Sequence, residues 1–90
     1  MPQVLIPAPY RGPTAGKTAV EVPAGTVLAC IEKVEELHPG FGQLVVDDAG
    51  SPQRWVRLYL NDESIEPDAI TRIEVGEGDR LEVLAAVAGG

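Results

Sequence analysis

The chain has little of what enzymes use for chemistry. It contains one cysteine, Cys30, and one histidine, His38. A single cysteine excludes an internal disulfide and a cysteine-built metal cage. Bases are scarce as well: 7 lysines and arginines stand against 14 acids, a formal net charge of −7. Binding a phosphate backbone needs a basic face, so nucleic acid is excluded as a partner. No apolar run approaches the roughly 20 residues of a membrane-spanning helix, so no membrane partner is expected. The opening Met1-Pro2-Gln3 has no basic region ahead of its short apolar run. No signal peptide is therefore expected, and the cytoplasm is the expected setting. What remains, 44% apolar and 23% charged residues in 90, fits one soluble domain.

Two periodicities organise that domain. Gln3 to Ile6 is a short β-branched run closed by Pro7 and Pro9, and Lys17 to Val22 alternates polar with apolar. Both read as strands, paired antiparallel across a loop rich in proline and glycine. Val27, Leu28, Ile31, Val34 and Leu37 then fall on one helical stripe, with Glu32, Lys33, Glu35 and Glu36 turned outward. Thr26 is the expected N-cap, and Pro39-Gly40 ends this helix, the only one expected. Residues 39–53 form a long connection in which Phe41 and Leu44-Val45-Val46 supply an apolar patch for the core. Arg54 to Leu60 is the clearest strand, with Val56, Leu58 and Leu60 on one face and Trp55, Arg57 and Tyr59 on the other. Asn61-Asp62 follows as a turn, then a short edge strand at Ser64-Ile65. Ile70 to Val75 is a helical turn or bridge, and the last strand is Arg80 to Leu84. This order predicts an α+β β-grasp, or ubiquitin-like, fold: one mixed sheet of four to five strands with one helix covering one face. Residues 1–85 form that domain and 86–90 a flexible tail.

The candidates for side-chain chemistry fail one by one. Gly12-Pro13-Thr14-Ala15-Gly16-Lys17-Thr18 resembles a phosphate-binding loop, but three residues separate its glycines where four are needed. A strand follows it where a helix N-terminus is needed. Cys30 and His38 lie about 12 Å apart along a helix at 1.5 Å per residue, too far for a nucleophile and its base. Cys30 reads as a packed thiol and His38 as a helix-terminal residue. Asp47-Asp48 point in different directions and lack nearby histidines, which argues against a metal site. The acids from Asp62 to Asp79 make either a solvated face or a docking face for a basic partner. Trp55, with Arg57, Tyr59 and Leu84, is either an interface anchor on the open sheet face or plain cross-strand packing.

The C-terminus decides between these readings. At an average glycine frequency of about 7%, two terminal glycines arise by chance in roughly 1 of 200 chains. Here Gly89-Gly90 follow directly on the last strand, with only Ala85 to Ala88 between. The extended segment Ala86, Val87, Ala88, Gly89, Gly90 reaches about 17–18 Å, enough to enter a partner's active site. Glycine lacks a Cβ, so the backbone can pass a narrow channel and leave its terminal carbonyl open.

With the Leu58-Tyr59-Leu60-Asn61-Asp62-Glu63 strand and turn, the Gly76-Glu77-Gly78-Asp79 approach and Ala86-Val87-Ala88-Gly89-Gly90, the whole chain resembles the ubiquitin-like sulfur carriers. That family includes the thiamin sulfur carrier and the molybdopterin-synthase small subunit, and this chain is most similar to its cysteine-biosynthesis branch. The resemblance implies a protein co-substrate and no catalytic residue in this chain. An E1-like adenylyltransferase would activate the Gly90 carboxylate with ATP, and sulfur would displace AMP to leave a thiocarboxylate. The sulfur acceptor would be a synthase, either a pyridoxal-phosphate cysteine synthase or the molybdopterin-synthase large subunit. A zinc metalloprotease would release the product in the cysteine branch. The resemblance thus places ATP, zinc and pyridoxal phosphate on partners. A ubiquitin-like protein modifier is the alternative, in which Gly90 would form isopeptide bonds.

Overall fold

The computed structural model describes residues 1–85 of the chain. Strands β1 (Gln3–Leu5) and β2 (Ala19–Glu21) pair antiparallel with Val4 opposite Val20, as their patterns predict. The loop between them opens with a 3-10 turn, Ala8–Tyr10, and then winds around Thr14, which is fully buried. The Thr14 hydroxyl donates to the Lys17 carbonyl at 3.1 Å, and β2 follows directly. This loop therefore feeds a strand, and the phosphate-loop geometry is absent from it.

Strand β3 (Gly25–Thr26) leads into helix α1 (Val27–Leu37). Thr26 is its N-cap: the hydroxyl oxygen accepts the Ala29 N–H at 3.0 Å, satisfying one of the orphan donors of the first turn. Val27, Cys30, Ile31 and Val34 form the buried stripe. Two residues depart from expectation. Leu37 is half exposed, because Phe41 and Val45, both fully buried, fill the core beside the end of the helix. Glu35 is half-buried and does not simply face solvent. Its Oε1 accepts the N–H groups of Gly40 at 3.0 Å and Gly42 at 2.8 Å. That carboxylate anchors a second short helix, α2 (Gly42–Val45), where the sequence suggested only a loop.

The remaining strands are β4 (Val56–Leu60), β5 (Glu63–Ser64), β6 (Glu74–Val75) and β7 (Arg80–Ala85). The main sheet runs β2-β1-β7-β4-β5, and β3 with β6 forms a separate two-stranded ribbon. β7 is central, parallel to β1 and antiparallel to β4. Its alternation explains the place: Leu81 and Val83 are buried, while Glu82 and Leu84 face the other way. Val4, Val20, Leu58, Leu81 and Val83 pack with Ile31 and Val34 in one core cluster. The opposite face of the sheet is left uncovered by any helix among the described residues. This is the β-grasp arrangement.

At one end of the sheet, two segments distant in sequence are tied together. Asn61 and Asp62 have φ of 49° and 73°, the positive values a two-residue hairpin turn requires. The Asn61 side chain donates to Asp79 Oδ1 at 2.9 Å and accepts the Arg80 N–H at 2.9 Å. Asp79 Oδ2 accepts the Gly76 N–H at 2.8 Å. Those hydrogen bonds hold the Asp79 carboxyl below the usual aspartate range, Asn61 contributing most. Two of the three segments that carry the family resemblance therefore act as a clasp between β4 and β7.

Candidate functional site

The clasp lies at one end of β7, and the C-terminal residues leave from the other. Because β1 is parallel to β7 and β4 antiparallel, three other segments meet at that exit. They are the end of β1, the start of β2 and the start of β4. The final pairs are Arg57 with Leu84 and Val56 with Ala85. The residues proposed to enter a partner, Ala86, Val87, Ala88, Gly89 and Gly90, lie outside the described residues.

Of the expected interface residues, Arg57 and Leu84 are direct cross-strand neighbours, and both are exposed. Tyr59 is half-buried opposite Glu82. Arg57 Nη1 donates to the carbonyls of Arg54 at 3.0 Å and Val56 at 3.1 Å, which fixes its direction along the sheet rim. Trp55 needs a correction. The strand begins at Val56, not Arg54, because the Val56 N–H is taken by the Gln53 carbonyl in a turn at 3.0 Å. Strand parity therefore does not orient Trp55. It is 46% exposed, and its indole lies near the Tyr10 phenol. Burial pushes the Tyr10 pKa up, and the contact with Trp55 opposes that shift.

Sequence reasoning missed two members of this rim. Leu5 and Arg11 line a groove of about 340 Å³ together with Thr18, Glu82 and Leu84. Arg11 Nε donates to the Ile6 carbonyl at 3.0 Å, which seats its guanidinium at the end of β1. A signal for Leu5 was present in the alternation Gln3-Val4-Leu5-Ile6, whose buried members are Val4 and Ile6. None existed for Arg11, which sits in an irregular loop.

Cys30 is buried with its sulfur 3.9 Å from the Pro23 carbonyl. Burial pushes its pKa up, and the Glu74 carboxylate adds to the shift, so it is held as a thiol. His38 ends α1, its N–H bonded to the Val34 carbonyl at 2.7 Å. Among the described residues, no three histidine, cysteine, aspartate or glutamate side chains gather as metal ligands. No helix among them is long and apolar enough to cross a membrane.

Residues 4–90 match the ThiS family as a whole. The chain belongs to the ThiS family. It is 32% identical to the sulfur carrier protein CysO of Mycobacterium tuberculosis, over 97% of this chain and 96% of that protein. A solved chain of the Amycolatopsis orientalis BexX/CysO complex superposes with a TM-score of 0.90 at 37% identity, all of both chains being covered. Crystalline M. tuberculosis CysO gives a TM-score of 0.87 at 28% identity, covering 97% of this chain and 100% of that one. Within the ThiS family, then, the similarity to CysO proteins extends over the fold and the sequence together.

Proposed function

We propose that this chain is a sulfur carrier, a protein co-substrate and not an enzyme, that delivers sulfur for cysteine biosynthesis. The observation that carries the reading is the match to the ThiS family through residue 90, with CysO relatives aligned over nearly their full lengths. The fold supports it. β7 is the central strand, held on both sides by hydrogen-bonded neighbours, so the segment beyond Ala85 starts from a firmly fixed strand.

The chemistry follows from the poor electrophilicity of a carboxylate. The Gly90 carboxylate attacks the α-phosphate of ATP on an E1-type enzyme and releases pyrophosphate. A sulfide-level sulfur then adds to the acyl carbon, the bond to the phosphate oxygen breaks, and AMP leaves. The product is a thiocarboxylate. A pyridoxal-phosphate synthase would join the thiocarboxylate to its substrate as a carrier–cysteine adduct, and a zinc metalloprotease would hydrolyse the bond between Gly90 and that cysteine, freeing cysteine and restoring the carboxylate. ATP, zinc and pyridoxal phosphate belong to those partners. The CysO of A. orientalis is found in complex with BexX, which supports a chain that works by docking.

Trp55, Arg57, Tyr59 and Leu84 contact the activating enzyme while residues 86–90 enter it. Pyrophosphate release by that enzyme is expected to depend on this chain and to be lost when Gly89-Gly90 are deleted. Release that persists without those residues refutes the role of the terminus. Trp55→Ala is expected to weaken binding to the enzyme about tenfold, the loss of one central aromatic anchor. Calorimetry with unchanged affinity would remove Trp55 from the interface.

A further inference from the structure

The sheet rim around the tail exit has a charge opposite to that of the whole chain. Four of the seven basic residues belong to segments at that end of the sheet: Arg11, Lys17, Arg54 and Arg57. Their placement follows from register. Arg11 bonds the end of β1 through the Ile6 carbonyl, and Lys17 precedes Thr18, whose carbonyl accepts the Ile6 N–H. Arg57 pairs with Leu84, and Arg54 lies just ahead of that strand. Among the described residues none of the four forms an ion pair, whereas Lys33, Arg72, Arg80 and the N-terminal amine all do. Arg11 and Arg57 are held by backbone carbonyls, which occupy only part of the five donors of a guanidinium. Two carboxylates lie nearby: Glu82 shares the groove with Arg11, and Glu66 shares a second pocket with Arg57. Neither is ion-paired among the described residues.

The far end of the sheet has the reverse charge. Glu21, Asp62, Glu63, Glu77 and Asp79 gather there by register and turn, and its cations are neutralised, Arg80 by Asp62 and the N-terminal amine by Glu77. We infer that the tail-exit rim, through Arg11, Lys17, Arg54 and Arg57, docks on an acidic surface of the activating enzyme. The inference rests on the carrier reading and names the partner's surface chemistry. The arrangement orients the encounter: an acidic surface attracts the end that carries the tail and repels the end that carries the clasp. The net charge of −7, with the acids from Asp62 to Asp79, left either a solvated face or a docking face for a basic partner. At this end its distribution points the other way.

Lys17 and Arg54 are exposed and neither side chain donates a hydrogen bond among the described residues, so their reversal leaves the fold intact. Two measurements test the inference. In pyrophosphate release by the activating enzyme, Lys17→Glu with Arg54→Glu is expected to raise the carrier's KM about tenfold with kcat nearly unchanged. The far-end pair Glu21→Lys with Glu63→Lys is expected to leave KM unchanged. An unaltered KM in the rim variant, or an equal rise in both, overturns the inference. The second measurement needs no enzyme. A hexaglutamate peptide added to the isotope-labelled full chain at low salt is expected to shift amide resonances at Leu5, Arg11, Lys17, Arg54 and Leu84. Those shifts should vanish near 1 M salt, where the screening length is about 3 Å. Absence of shifts at low salt refutes the acidic partner while wild-type pyrophosphate release still upholds the carrier reading. Failure of that release, with the peptide shifts present, refutes the carrier reading and with it the activating enzyme as the partner, while the rim's affinity for an acidic surface stands.

Discussion

Asp79 does two jobs with one carboxylate, joining the Asn61 turn to the Gly76 turn and steadying the start of β7. Its folded pKa lies below the ordinary 3.8, so the clasp adds stability above that value and loses it as pH falls through the lower folded value. Asp79→Ala is therefore expected to be less stable than the wild type in urea at neutral pH. The difference should shrink as the pH is taken below 3.8; a gap that stays constant into acid would exclude the clasp as its source. This role was not legible in the sequence, where Asp79 was one of a run of acids and only the fold brings Asn61 to it. The packed state of Cys30, by contrast, was legible, because helical spacing alone puts it beside Val27, Ile31 and Val34.

Elements with a strong local period were readable, and those decided by tertiary packing were not. Leu58, Leu81 and Val83 announce their buried side by simple alternation, and Thr26 with the Pro39-Gly40 stop brackets α1. The short α2 has no such signal. It exists because Phe41 and Val45 reach the core and Glu35 holds the backbone that turns between the helices. Removing that acceptor strands the N–H of Gly42, which is buried. Glu35→Ala is expected to lower unfolding stability by about 1–3 kcal/mol, and Glu35→Gln, which keeps an acceptor oxygen, to recover part of it. Equal stability of the alanine variant and the wild type in denaturant titrations would show that α2 does not depend on this link. Trp55 illustrates the same limit: its direction is set by a turn outside the paired strand, so parity could not give it.

At the scale of the whole molecule, the scarcity of reactive side chains matches a division of labour. The body supplies a sheet, a rim of cations that form no ion pair among the described residues and a strand that ends at that rim, and under the proposed function partners would supply the chemistry. The fold class was legible because the order of elements, with only one long helix, leaves few ways to cover a mixed sheet. The charge distribution was not, since Arg11, Lys17, Arg54 and Arg57 are separated in sequence and share one end of the sheet only through the strand order. The central claim concerns one chemical group, the carboxylate of Gly90, and intact-mass spectrometry reads it directly. After incubation with the activating enzyme, ATP and a sulfur donor, the chain should gain the mass difference of one oxygen exchanged for one sulfur, and a chain lacking Gly89-Gly90 should gain nothing. An unchanged mass for the full chain, with an enzyme shown to be active on another carrier, would contradict the account.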